Sequence, residues 1–310
     1  MSARSTRRPP KVSVLMTIYN AEPHLEEAID SIIAQTFDDW ELIAIENGSS
    51  DSSPAILAGY EDERIRVFAL PENIGRTPAL RYAFDRAQGE YIAVLDADDV
   101  SYPKRLERQV EYLAQHLEVA LVGSWAEQIN ASSEVIGHFQ PPVDEDDLYD
   151  ALGWSNPIVH SSIMYRAGYA RQVGGYPAAY TYAQDFALIL AIARNKDTRL
   201  RIIGEYLCKY RFTGSNMTRN PGLLLSIGQE QLALLREAAE IFPLSEWAAK
   251  RNRRRQAVAQ VKIGVALVKG SKVVDGLKRI AGAIIRAPEI VIDNGIVNRL
   301  FSADRSSRWL

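Results

Sequence analysis

Asp96, Asp98 and Asp99 are the residues whose types and spacing point most directly to chemistry, and they follow the apolar run Tyr91 to Leu95 without a break. A short apolar segment that ends abruptly in polar residues reads as a strand covered on both faces. The C-terminal end of such a strand is where an α/β sheet opens its ligand crevice. Asp96 and Asp98, two residues apart, project to the same side while the backbone stays extended. A hard divalent cation takes carboxylate oxygens and keeps other positions for water and phosphate. The pair therefore suggests a metal-assisted diphosphate site. Asp-rich tetrapeptides also occur in turns, where the side chains cap their own backbone, so the rest of the chain must decide.

The elements that would position these acids alternate. Val12 to Met16 reads as a buried strand ending at Thr17-Ile18-Tyr19-Asn20, and Leu25, Ala28, Ile29 and Ile32 follow at helical spacing. Trp40 to Ile45 is a second strand, closed by the polar loop Glu46 to Asp51 and a helix near Pro54 to Gly59. Ile65 to Phe68 is a third strand, followed by the loop Asn73 to Arg76 and a helix from Pro78 to Gln88, with Gly89 as its C-cap candidate. This alternation predicts a parallel sheet with right-handed crossovers, flanked by helices. The polar clusters at Thr17 to Glu22, Glu46 to Asp51 and Asp96 to Asp99 should then converge on one rim.

Beyond residue 100 the rhythm changes. His160 stands just before a short apolar run, Gly174-Gly175-Tyr176-Pro177 marks a turn, and Gln184-Asp185 opens an apolar helix, Phe186 to Ala193. Ile202 to Phe212 supplies a last strand that carries Arg211. The tail is mostly helical by periodicity. The expected organisation is a basic N-terminus at 1–11, a catalytic domain at 12–240 and a basic helical extension at 241–310, with the boundary near Phe242-Pro243.

Composition narrows the function classes. With 310 residues, 47% hydrophobic and 24% charged, the chain can bury a sizeable core. Cys208 is the only cysteine, which rules out an intrachain disulfide and a cysteine-based zinc cluster. The net charge of −3 conceals an asymmetry: residues 12–244 carry 18 basic and 34 acidic side chains, whereas 245–310 carry 14 basic and 5 acidic ones. An acidic body argues against a broad nucleic-acid footprint. The basic tail is compatible with anionic membrane, with packing on the acidic body or with self-association. No leader or spanning segment is visible. The chain is expected in the cytoplasm, with peripheral contact at the inner face of a membrane as one reading.

Taken in order, Val12 to Asn20, Glu46 to Asp51, Asn73-Ile74-Gly75 with Ala79-Leu80-Arg81, and Asp96-Ala97-Asp98-Asp99 resemble the family 2 glycosyltransferases of GT-A fold. Gly174-Gly175-Tyr176 and Gln184-Asp185 extend the resemblance, which covers about residues 11–219 and leaves the tail outside. It implies a GT-A type, Rossmann-like, mainly parallel sheet with a C-terminal helical extension. It places Thr17, Tyr19 and Glu22 around base and ribose, Glu46 and Asn47 at the base, and Arg81 near the nucleotide. Asp96 and Asp98 correspond to the metal-binding pair, and Asp185 to the catalytic base. Two positions depart from the family pattern: Asn47 and Gln184 stand where acids are usual. His160 could line the acceptor side. Arg211 could hold diphosphate with its planar fork.

Such residues suit single-displacement transfer. A nucleotide diphosphate leaves well once a cation, Mn2+ or Mg2+, offsets its developing charge. An acceptor hydroxyl needs a positioned carboxylate to take its proton. The expected function is inverting transfer from a nucleotide-diphosphate sugar, a UDP-sugar by the family's habit, to a glycan or lipid-linked acceptor. A non-catalytic nucleotide-sugar-binding protein on the same fold is the alternative, and a nucleotidyltransferase is a weaker third reading.

Overall fold

The computed structural model describes residues 8–212, 223–270 and 272–287. The chain divides into two compact units, Met1–Leu148 with Pro157–Gly214, and Tyr149–Asn156 with Ser215–Leu310. Among the described residues the first unit holds nine strands in one sheet. Its parallel half is β1 (Val12–Ile18), β2 (Trp40–Asn47), β3 (Ile65–Leu70) and β4 (Tyr91–Val94). All of β2 and β4 is buried, as strands covered by helices on both faces must be. β3 is only partly buried, which fits its place at the sheet edge. The helices between them are α1 (Leu25–Ile33), α2 (Ser53–Ala58) and α3 (Arg76–Phe84); α4 (Arg105–Gln115), α5 (Glu145–Leu152), α6 (Ala167–Gln172) and α7 (Gln184–Ala193) follow in chain order. β1 pairs in parallel with both β2 and β4, so these three strands end on one rim.

The second half of the sheet is mixed in direction. β8 (Met164–Arg166) runs antiparallel to β4 and to β6 (Val119–Ile129). β7 (Val135–Phe139) is the antiparallel hairpin partner of β6. The two-residue β5 (Val100–Ser101) pairs antiparallel with β9 (Arg199–Arg211), and only β6 with β9 remains parallel. For β6 and β7 the physical reason is connection length: a strand returned through a tight turn, here with Ser133 at φ 62°, cannot make the crossover that parallel pairing needs.

The second unit contains α8 (Leu224–Ile241), α9 (Glu246–Lys269) and α10 (Val273–Arg286). Its division from the first unit falls near residue 214 and takes in residues 149–156, rather than at 240, because α8 packs on α9 through Leu232, Ala259 and Ile263. Ser245 caps α9 by accepting from the Ala248 N–H at 3.1 Å. Buried Asn252 donates to the carbonyls of Gly153 and Leu235, each at 2.6 Å. α9 and α10 touch backbone to backbone at two glycines: a Cβ on Gly276 would lie 2.5 Å from the Gly264 carbonyl oxygen. Gly276→Val is therefore expected to pry the helices apart and destabilise this unit by about 1–3 kcal/mol, read as a lower unfolding temperature. An unchanged midpoint would show that the contact is looser than drawn.

Candidate active site

Leu95 continues the ladder of β4 by donating to the Leu15 carbonyl, and the chain then turns, with the Asp99 N–H on the Asp96 carbonyl at 3.1 Å. This turn gathers the acids: one carboxylate oxygen from each of Asp96, Asp98 and Asp99 lies within 4.8 Å of the others. Ser161, in a 3₁₀ turn at His160–Ser162, ties the ends together. Its hydroxyl accepts from the Asp96 N–H at 3.0 Å and donates to Asp99. Beneath the turn, Arg105 of α4 (Arg105–Gln115) is fully buried and donates to the carbonyls of Val94 and Ile163 at 2.8 and 3.1 Å.

The three acids are not equivalent. Asp99 is 1% exposed and accepts the Arg211 N–H at 2.7 Å. Burial, with the charges of Asp98 and Asp96, pushes its carboxyl well above the usual range. Asp96 experiences the same burial, but Arg76 and His160 overcome it and hold its carboxyl well below that range. Arg76 reaches Asp96 at 2.5 Å, and His160 Nδ1 lies 3.5 Å from the second oxygen. Asp98 is the open member: its carboxylate receives no donor from another described residue, and burial plus the Asp96 charge pushes it up to about 6.

Arg76 is the cation at the centre of this constellation. Burial would lower its pKa, yet Asp96 raises it, with further contributions from Asp185 and Asp98. Its Nη2 also lies 3.4 Å from His160 Nδ1, and His160 Nε2 lies 2.9 Å from the Tyr176 hydroxyl. Gln184 and Asp185 begin α7 (Gln184–Ala193). In the amide orientation that satisfies both its ends, Gln184 accepts from Arg76 Nε at 3.1 Å and donates to the Thr181 carbonyl at 3.2 Å. A neutral amide here leaves the guanidinium charge to Asp96 and Asp185, which gives a physical reason for the departure from the family acid.

The other residues named from the sequence divide into two groups. Thr17 is half-buried one residue before the end of β1, and Tyr19 just beyond the strand is 51% exposed. Glu22 accepts the Ser52 N–H at 3.1 Å, while Asp51 accepts the Glu22 N–H at 3.0 Å, so the first two strand-end loops are laced together. Glu46 is 5% exposed and accepts the Ser49 N–H at 2.6 Å. Asn47, by contrast, is engaged in structure: it donates to Asn73 at 3.1 Å and accepts the Ile74 N–H at 3.0 Å. Only an amide offers both a donor and an acceptor, which explains asparagine at this position. Gly48 is needed beside it, at φ 72°, because a Cβ would lie 2.5 Å from the Glu72 backbone.

Arg81 donates to the carbonyls of Gly174 and Tyr176 and so anchors the turn that carries Tyr176, and one expectation, for Arg211, is corrected by geometry. Arg211 is 0% exposed, and its guanidinium is spent on the Asp98 carbonyl at 2.7 Å, the Asn130 carbonyl at 2.9 Å and Glu27 at 2.5 Å. It braces the acidic turn from behind and, fully buried, presents no open face to a diphosphate. Tyr176 is fully buried, so it is a partner of His160 and no platform for a sugar.

Arg76 and Ser161 escaped the sequence reading. Arg76 did leave a signal. It occupies the first position of α3, where the helix dipole disfavours a cation, so its presence there asks for an anionic partner elsewhere.

Residues 13–173 match the family described as Glycosyl transferase family 2. EpsE of Bacillus subtilis, which carries glycosyltransferase in its name, is 35% identical over 170 residues, 54% of this chain and 60% of that protein. The O-antigen biosynthesis glycosyltransferase WbnJ of Escherichia coli is 31% identical over 205 residues, 64% of this chain and 79% of that one. Among solved structures, TarS of S. aureus in complex with UDP-GlcNAc superposes with a TM-score of 0.64 at 16% identity, covering 91% of this chain and 82% of that one. The mannosyltransferase PcManGT of Pyrobaculum calidifontis, in complex with GDP-Man and Mn2+, gives 0.60 at 18% identity, covering 96% and 89%. The structural likenesses establish the GT-A fold, and the profile match over half the sequence establishes the family: this chain belongs to glycosyl transferase family 2.

Proposed function

We propose that this chain transfers a sugar from a nucleotide-diphosphate donor, a UDP-sugar first among them, to a hydroxyl of a glycan or lipid-linked acceptor in envelope polysaccharide synthesis, with inversion at the anomeric carbon. The observation that carries this reading is the pairing of an open carboxylate cluster with a separate carboxylate, Asp185, around one shared cation, Arg76.

The donor set fits a hard divalent cation. Asp98 presents an unshared carboxylate whose charged form is disfavoured by burial and by neighbouring Asp96, the arrangement that a dication relieves. Asp98 and Asp96 would hold Mn2+ or Mg2+, which when bound offsets the charge that grows on the departing diphosphate. Asp185 takes the proton of the acceptor hydroxyl as its oxygen forms the new bond to the anomeric carbon. The bond from that carbon to the phosphate oxygen breaks, and its electron pair leaves with the nucleotide diphosphate. Arg76 keeps Asp96 ionised and presents positive charge beside the place where negative charge accumulates. Thr17, Tyr19, Glu22 and Glu46 border the rim where base and ribose would lie.

Thermal-shift titration with UDP and GDP, each with and without Mn2+, tests the donor reading. The expected outcome is a stabilisation by UDP that needs the cation, and no shift with either nucleotide would sink it. Arg76→Ala is expected to lower turnover about 10²-fold, more than it weakens donor binding, because its charge acts on both Asp96 and the leaving group. Steady-state kinetics showing a change in KM alone would remove Arg76 from the chemistry.

Among the described residues no helix is long and apolar enough to cross a membrane. Contact with the inner face of a membrane through the basic tail is nevertheless part of the proposal, supported by Val274, Leu277 and Ile285 of α10, which are 64%, 54% and 79% exposed. Failure of the full chain to co-sediment with anionic liposomes at low salt would remove this part.

A further inference from the structure

The second unit contains a groove of about 650 Å³ between α8, α9 and α10, within the usual size of small-molecule sites, about 300–1,000 Å³. Its charge is one-sided. Arg236, Lys272, Lys278, Arg279 and Arg286 line it, against a single acid, Asp275. None of these five cations forms an ion pair with a described residue; the one hydrogen bond among their charged groups runs from Arg279 to Gln260 at 2.9 Å. Surface cations are ordinarily interspersed with acids, and five turned unneutralised into one concavity repel one another. A cleft of one sign focuses its field and concentrates counter-ions. Guanidinium groups favour phosphate oxygens in particular, through their planar fork. Leu232 and Leu267 add apolar wall.

The groove shares no residue with the carboxylate site. At about 100° per residue, Arg279 and Arg286 lie on roughly the opposite side of α10 from Leu277, while Lys278 borders Ile285 and Val274.

We propose that this groove binds a phosphate-bearing anion with two or more negative charges, separate from the donor nucleotide. The test uses the full chain in EDTA, titrated calorimetrically with inorganic tripolyphosphate, and in parallel mixed with phosphatidylglycerol vesicles. The expected result is saturable binding of tripolyphosphate that weakens about tenfold or more in the double variant Lys278→Glu with Arg286→Glu, weakens with added salt, and is unchanged in Asp98→Ala. Binding of vesicles alone, lost in the same double variant, supports the proposal with a lipid headgroup as the source of phosphate. Binding of neither probe overturns it, as does binding of either that survives the charge reversal. Both positions are exposed, and the single variants serve if the double variant does not fold.

Discussion

Asp98→Ala is expected to reduce sugar transfer about 10³-fold or more and to abolish the cation-dependent part of nucleotide binding. The size of the effect follows from the division of labour among the three acids. Asp99 is committed to the Arg211 N–H and to Ser161, and Asp96 to Arg76, whereas the Asp98 side chain holds no other described residue. Its structural contribution is a backbone carbonyl on Arg211, which alanine retains. Loss of activity would therefore be loss of chemistry, checked by a transfer assay beside an unfolding curve. The pH dependence has a definite sign. Burial and the Asp96 charge raise the Asp98 carboxyl to about 6, above its value in the unfolded chain. The folded state thus holds the proton more tightly, and stability is lost as pH rises from about 4 towards 6. Asp98→Asn should make the cation-free chain more stable at pH 7.5 by on the order of 1–3 kcal/mol while inactivating it. Cation affinity should fall as pH drops below about 6, where the proton competes.

Asp185→Asn is expected to lower turnover about 10²–10⁴-fold with donor binding intact. Asparagine keeps the size and hydrogen-bonding reach of the side chain in the first turn of α7, but it cannot accept a proton from an acceptor hydroxyl. The two variants separate the two halves of the mechanism, since one loses the donor and the other only the reaction. A variant that transfers normally would mean that Asp185 is a helix-start residue. Nucleotide binding by the unaltered chain, with no turnover against any acceptor, would favour a sensing protein on the same fold.

Much of this was legible in the residues themselves. Buried strands such as Tyr91–Val94 announce themselves because sandwiched parallel strands must be apolar throughout, and parallel alternation then forces their polar ends to one rim. The antiparallel half was harder to read, because β5 and β8 are only two and three residues long and carry no period. Arg211 is hard to read because a guanidinium has five donors, and sequence does not reveal whether carbonyls or a ligand will take them. Asn47 illustrates the converse, since an amide where an acid is usual turned out to hold the Asn73–Gly75 loop from both of its ends. The boundary near 240 was misplaced because α8 is amphipathic on its own and only packing assigns it to α9.

The most direct test is calorimetric titration of the unaltered chain with UDP in Mn2+ and again in EDTA, repeated with Asp98→Ala. The expected result is cation-dependent binding in the unaltered chain and none of that dependence in the variant. Equal UDP affinity in Mn2+ and EDTA, or a variant that keeps the full cation effect, would contradict the assignment of Asp96 and Asp98 as the cation and diphosphate end of the site.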